Sequence, residues 1–358
     1  MRKILHLTIY IFTAIAFTSC MNDEVLPVSP VDLFGSRGVF IVNEGNYLYG
    51  NSTLSYYDIN TKEVINDIFS AANGIPLGDV AYNMVIRNGK GYLVVNNSGC
   101  VHVIDANTIL LEKTIEGLTS PRNILFLNDN TALVSDLYAR GISIVNVMSS
   151  EVVGKIKTGS LSMPFYQHPT ENLLRIGNRI FTNCWSYDNK VLVIDAESLT
   201  VIDSVEVGIQ PMQMVADANG KIWVMNDGGY FGSPFGAEKP SLMRLNAQTL
   251  EVELRLNFAS QMDRVGQMAT NPAGDTLYYI CNHLYRMPVN SEMLAPTPFV
   301  SRSGRNFRAL GVDLATGTVF ISDASDYMSE GDIYVYTSTG VAVDTFRVGV
   351  IPTNFCFN

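Results

Sequence analysis

Little in this chain is charged: Asp, Glu, Lys and Arg make up 16% of it, and 34 acidic against 24 basic side chains leave a net charge of −10. That balance disfavours contact with phosphate backbones, so nucleic acid is not an expected partner. Catalytic signatures are missing too. There is no His-Glu-x-x-His helix, no Gly-x-Ser-x-Gly elbow, no phosphate loop and no Cys-x-x-Cys pair, and Gly89-Lys90-Gly91 reads as a hairpin turn. Histidine is scarce: beyond the leader stand His102, His168 and His283, whose spacing suggests no shared metal, and His102 reads as a packed or rim residue of a strand. Cys100, Cys184, Cys281 and Cys356 lie far apart, on or beside apparent strands, and read as small buried hydrophobes. The expectation is a protein without catalysis, cofactor or metal. Asp323, Asp326, Glu330 and Asp332 could hold calcium in one loop, but the reading preferred is a solvated acidic turn.

No apolar run is long enough to span a bilayer comfortably, since Ile4 to Phe17 is interrupted by His6, Thr8 and Thr13. With Arg2 and Lys3 before it and Phe17-Thr18-Ser19-Cys20 after it, this stretch is read as a lipoprotein signal over 1–19, with Cys20 the lipidated residue. Met21-Asn22-Asp23-Glu24 resembles the acidic stretch that sends lipoproteins of the Bacteroidota to the outer face of the outer membrane. Residues 20–37, with Pro27 and Pro30, are expected to form an extended tether.

What is present is repetition. Hydrophobic residues reach 47%, enough for a large core. Gly91-Tyr92-Leu93-Val94-Val95-Asn96, then Val101-His102-Val103-Ile104-Asp105, then Leu110 to Ile115 form a unit that recurs around Val193-Ile194-Asp195, Ile222-Trp223-Val224-Met225-Asn226 and Val319-Phe320-Ile321-Ser322-Asp323. Turns after the third strand fall near Asp58, Asp105, Asn146, Asp195, Asn246, Pro288 and Thr337. A period of roughly 40–50 residues with four short strands per unit signals a blade of a β-propeller. The prediction is an all-β, seven-bladed propeller over 38–358. The sixth repeat, from Gly266 to Val300, is irregular and carries Pro288, Pro296 and Pro298. Innermost strands open on Pro121-Arg122-Asn123, Pro211-Met212-Gln213 and Pro352-Thr353-Asn354, and the last has no strands after it. The C-terminal strand should therefore complete blade one and close the ring.

In a propeller, the loops between second and third strands and the connections between blades share one face. Polar strand ends stand there at Asn43, Asn96, Asp136, Asn183, Asn226, Asn282 and Asp323. Beyond them come Tyr47, Tyr49, Tyr138, Trp185, Tyr187, Tyr230, Phe231 and Tyr327, while the connections supply Asn83, Asn123, Phe165, Tyr166, Gln213 and Arg308. Turn chemistry alone accounts for Asn and Asp at strand ends. It does not account for large aromatics in exposed loops, which combine contact area with few rotors and a polar tip. The expected site is a wide bowl in which the aromatics contact a ligand's flat parts and Asn83, Asn123, Asp136, Gln213, Asn226 and Arg308 meet its polar rim.

The entry Gly38-Val39-Phe40-Ile41-Val42-Asn43-Glu44-Gly45-Asn46, the Val-Ile-Asp turns, the Pro-x-Asn strands and the lipoprotein head resemble BtuG-type surface lipoproteins of gut Bacteroidota, within the wider YncE-like propellers. The resemblance implies capture of cobalamin or a related corrinoid, delivery to a TonB-dependent outer-membrane transporter, and a lipid anchor facing the outside of the cell. A glycan-binding or adhesion propeller remains an alternative, as does a lactonase- or lyase-like enzyme.

Overall fold

Seven antiparallel sheets follow one another around a ring, each built outward from an innermost strand. The computed structural model describes residues 28–159 and 168–358. The expected signal segment, Cys20, Phe165 and Tyr166 lie outside the described residues. The innermost strands of blades two to seven are Ala81–Arg87, Pro121–Phe126, Thr170–Ile176, Pro211–Ala216, Val265–Thr270 and Phe307–Val312. Blade one takes its innermost strand from the other end of the chain. Pro352–Phe357 pairs antiparallel with Gly38–Asn43, placing Cys356 opposite Phe40 and Asn354 opposite Val42. The ring is a seven-bladed β-propeller closed as the sequence pattern predicts.

The second strand of each blade is apolar along most of its length because both of its faces are buried. In Gly38–Asn43, Phe40 and Val42 pack toward blade two with Leu93 and Ile104, while Val39 and Ile41 pack toward blade seven with Phe320 and Ile333. The same alternation gives one apolar cluster at each blade–blade interface around the ring among the described residues. Each fully buried side chain of this size contributes about 1.5–3 kcal/mol, so the interfaces between blades carry most of the stabilisation.

Two departures from expectation have local causes. Blade six has three strands, Val265–Thr270, Thr276–Cys281 and His283–Pro288, and its outer place is held by a segment bridged to it between Leu284 and Val300. Pro296 and Pro298 lie in that segment, and a residue without an N–H cannot sustain a ladder. The described part of the segment expected to be a tether is docked on the ring. Leu33 is buried in the cluster between blades one and two, Ser29 N donates to Ala71 O at 2.7 Å, and Arg37 pairs with Asp313 at 2.5 Å, so the chain is docked from Ser29 onward. A short helix, Ile68–Asn73, wedges Phe69 against His102, with ring centroids 5.4 Å apart. His102 is thus a packing residue, with Thr114 Oγ1 at 3.0 Å and Leu77 O at 3.2 Å from its ring nitrogens. The four cysteines of the body are free and buried, as expected. Among the described residues no helix is long and apolar enough to cross a membrane.

Candidate functional site

The antiparallel order places the loops between second and third strands at the same end of the ring as the start of every innermost strand. At that upper end the third residue of the innermost strand is an amide in six blades, Asn354, Asn83, Asn123, Asn172, Gln213 and Gln267, and Ala309 in the seventh. Several of these side chains reach sideways to the fourth residue of the next blade. Asn354 Oδ1 accepts from Met84 N at 3.4 Å, Asn172 Oδ1 from Met214 N at 3.2 Å and Gln267 Oε1 from Leu310 N at 3.0 Å, and Gln213 Oε1 accepts from Met268 N. Gln267 Nε2 also donates to Thr353 O at 2.8 Å. Four of the six amides, Asn354, Asn172, Gln213 and Gln267, thus stitch neighbouring blades together around the channel. The carbonyls of these four being engaged, the remaining capacity of Asn354, Asn172 and Gln213 toward a ligand is mainly as donors.

Just before these amides stand two ion pairs. Arg122 Nε donates to Glu171 Oε2 at 2.8 Å and Tyr82 O–H donates to Glu171 Oε1 at 2.7 Å, while the Arg122 guanidinium stacks 3.4 Å from the Tyr82 ring centroid. Burial, then the balance of Arg122 and Glu171, holds Tyr82 well above the ordinary phenol range, so it stays protonated. Across the mouth Arg308 pairs with Glu44 beneath Tyr327, whose ring centroid is 6.0 Å from the guanidinium, and its Nε is buried without a partner. Arg122 with Glu171 and Arg308 with Glu44 thus pair off two cations and two carboxylates at the mouth. The channel cavity below measures about 280 Å³ and is lined by Tyr82, Asn83, Asn123, Glu171, Gln213, Gln267, Arg308 and Asn354. A smaller space of about 100 Å³ adjoins it beside Arg264, Asn282, Arg302 and Tyr327. Such volumes admit a small polar group, and a broader ligand would have to lie across the mouth.

The aromatics around the mouth stand where the sequence suggested. Tyr47, Tyr49, Tyr138, Tyr230 and Phe231 are exposed on second-to-third-strand loops, Phe231 at 98%. The hydroxyls of Tyr187 and Tyr230 lie 3.0 Å apart with their rings edge to face, and Phe235 tilts against Tyr187 at 6.5 Å, forming an aromatic wall from blades four and five. Sequence reading missed Phe235, although it shares the long glycine-rich loop that presents Tyr230 and Phe231. Trp185 is half-buried and donates Nε1–H to Asp227 Oδ2 at 3.1 Å, with Arg122 5.8 Å from its ring. It is tied into the wall of the mouth as well as presented to it. Asn46 Nδ2 donates to Tyr327 O at 2.7 Å, joining the loops of blades one and seven.

Asn83, Asn123, Gln213 and Arg308 belong to innermost strands and line the channel rather than the loops. Two expected rim contacts are corrected. Asn226 is fully buried, its Nδ2 donating to Ser241 Oγ at 3.2 Å. Asp136 is 1% exposed and its carboxylate accepts from the backbone of Thr119, Ser120, Tyr138 and Ala139. Both hold the ends of strands rather than facing a ligand. The acidic turn of blade seven behaves alike: Asp326 accepts from Met328 N and Ser329 N, Asp323 from Asn306 N and Ser325 N, and Asp332 pairs with Arg347 at 3.0 Å.

Among solved structures, the chain is similar to a quinonprotein alcohol dehydrogenase-like protein of Bacteroides thetaiotaomicron VPI-5482, at 19% identity over 90% of this chain and 78% of that one, with a TM-score of 0.69. It is similar also to a functionally unknown protein of Desulfotomaculum acetoxidans DSM 771, at 14% identity over 90% of this chain and 99% of that one, with a TM-score of 0.62. At these identities the likeness is one of fold. Among curated proteins, 152 residues are 28% identical to SED4 of Saccharomyces cerevisiae, named for a guanine nucleotide-exchange factor. That stretch is 42% of this chain and 13% of SED4, so the chain spans a small part of that relative's length. Residues 37–340, nearly the whole ring, match a single family, and the chain belongs to it: the family described as Domain of unknown function (DUF5074).

Proposed function

We propose that this propeller captures a corrinoid across its upper mouth and passes it to a TonB-dependent outer-membrane transporter, held at the cell surface by a lipid on Cys20. The observation that carries the reading is the set of exposed aromatics, Tyr47, Tyr49, Tyr138, Tyr230 and Phe231, on upper-face loops of blades one, three and five, above a channel in which Arg122 pairs with Glu171 and Arg308 with Glu44. A corrin is a broad disc rimmed by amide arms. It needs flat aromatic contacts over a wide opening and polar groups for the arms, and Asn83, Asn123 and Arg308 supply the latter within the channel. The pairing of Arg122 with Glu171 and of Arg308 with Glu44 supports binding over turnover, since neither carboxylate is left as a free acid or base.

Incubating the purified protein with cyanocobalamin and separating it by gel filtration tests the reading. Red corrinoid should elute with the protein at one equivalent per chain. Corrinoid recovered wholly in the free volume would overturn the proposal, and retention of oligosaccharides by the same protein would then favour a glycan ligand, for which the aromatic wall is equally suited.

A further inference from the structure

Independently of the mouth, three side chains with metal-binding atoms meet on the upper face of blade four. Cys184 ends the second strand and pairs across the ladder with Thr170, which brings His168, two residues upstream, over the same spot. Asp188 returns to it from the loop that follows. The donor atoms of His168, Cys184 and Asp188 all lie within 4.8 Å of one another, and His168 Nδ1 is 2.7 Å from Asp188 Oδ2. The backbone carrying them is fixed: Trp185 N donates to Pro169 O at 3.1 Å, Gln210 N of blade five to Asp188 O at 2.8 Å, and Asn189 N to Asp188 Oδ1 at 2.7 Å. Cys184 and Asp188 are buried, whereas the His168 side chain is 34% exposed.

We infer that His168, Cys184 and Asp188 form a binding site for a zinc-like divalent cation. One imidazole nitrogen, one thiolate and one carboxylate are the donor types that borderline-soft Zn²⁺ takes, and three protein donors leave a fourth position for water or a ligand atom. Around a tetrahedral ion the His168 Nδ1 and Asp188 Oδ2 atoms would open from 2.7 Å to about 3.3 Å, while the widest donor separation, no more than 4.8 Å, would close by about 1 Å. Binding displaces the Cys184 thiol proton to solvent and requires His168 neutral. The same trio is poorly suited to nucleophilic chemistry, because burial and then the charge of Asp188 hold the Cys184 thiol well above its ordinary value.

The test uses purified protein stripped with a chelator and titrated with Zn²⁺ alone against a chromophoric competitor, then with Cd²⁺ monitored for thiolate charge-transfer absorption. One equivalent of Zn²⁺ per chain is expected, with a Cd²⁺–thiolate band that Cys184→Ser abolishes. His168→Gln and Cys184→Ser should each weaken Zn²⁺ by at least about tenfold. His168→Gln alters a half-exposed side chain and so decides the matter even if Cys184→Ser fails to fold. No stoichiometric Zn²⁺ binding by the unmodified protein, or unchanged affinity in His168→Gln, would overturn the inference.

Discussion

One turn recurs at the lower end of five blades, and single residues explain it. Asp58, Asp105, Asn146, Asp195 and Asn246 each end a third strand and accept, through Oδ1, from the backbone N–H groups two and three residues on. The residue four places on, Lys62, Ile109, Ser150, Leu199 or Leu250, then takes positive φ and donates its own N–H back to the turn's first carbonyl. The Thr108 N–H foremost, against some burial and with help from Asn107, holds the Asp105 carboxyl below its ordinary range. A carboxylate with a depressed folded value stabilises above its unfolded pKa, and that contribution is lost as pH falls through the folded value. Asp105→Ala should therefore cost about 1–2 kcal/mol at neutral pH. Urea titrations repeated below the ordinary carboxylate range should find the two proteins converging, and a difference that persists in acid would contradict this account. The same side-chain habit misled the reading of the upper face: Asp136 and Asn226 are polar strand ends, and like those of Asn96 their bonds run to neighbouring backbone and hydroxyl groups. Sequence shows the residue type and the strand end, whereas the direction of the side chain depends on which neighbouring strand offers a partner.

At the scale of the element, blades were legible because the second strands are apolar without alternation and the turns between third and fourth strands are chemically alike. Blade six was the hard case, since prolines and a bridge at Leu284 replace its fourth strand, leaving only Thr276–Cys281 in register with the pattern. The trio on blade four was not legible. Comparing histidines across repeats hides it, because His168 finds its partners within its own blade, through the pairing of Thr170 with Cys184. The closing strand was legible and carries a strong prediction. Pro352–Phe357 supplies the innermost strand of blade one, accepts at Pro352 O from Ser322 Oγ at 2.8 Å, and packs Phe355 and Phe357 against Phe320. Deleting 352–358 removes bonds to blades one, two, six and seven together. A loss of several kcal/mol should lower the melting temperature by about 10 °C or more; an unchanged melting temperature in calorimetry would refute the closure.

As a whole molecule, this is an acidic, weakly charged ring whose upper face combines the Arg122–Glu171 and Arg308–Glu44 pairs at the channel with exposed aromatic loops. The blade interfaces hold the sheets, the channel amides hold the blades to one another, and the upper loops are free to carry recognition. Trp185 and Phe231 contribute to the upper face differently: Trp185 is bonded to Asp227 in the wall, while Phe231 stands clear of the body. Truncating an aromatic anchor of a binding surface typically costs about 2 kcal/mol, roughly thirtyfold in affinity. Isothermal titration of cyanocobalamin into the unmodified protein, Tyr49→Ala, Trp185→Ala, Phe231→Ala and the lower-face control Met148→Ala is the most direct test of corrinoid capture at the mouth. Saturable binding at one site, weakened roughly thirtyfold by at least one upper-face change and untouched by Met148→Ala, is the predicted result; no heat with the unmodified protein, or equal affinity in all four variants, would contradict it.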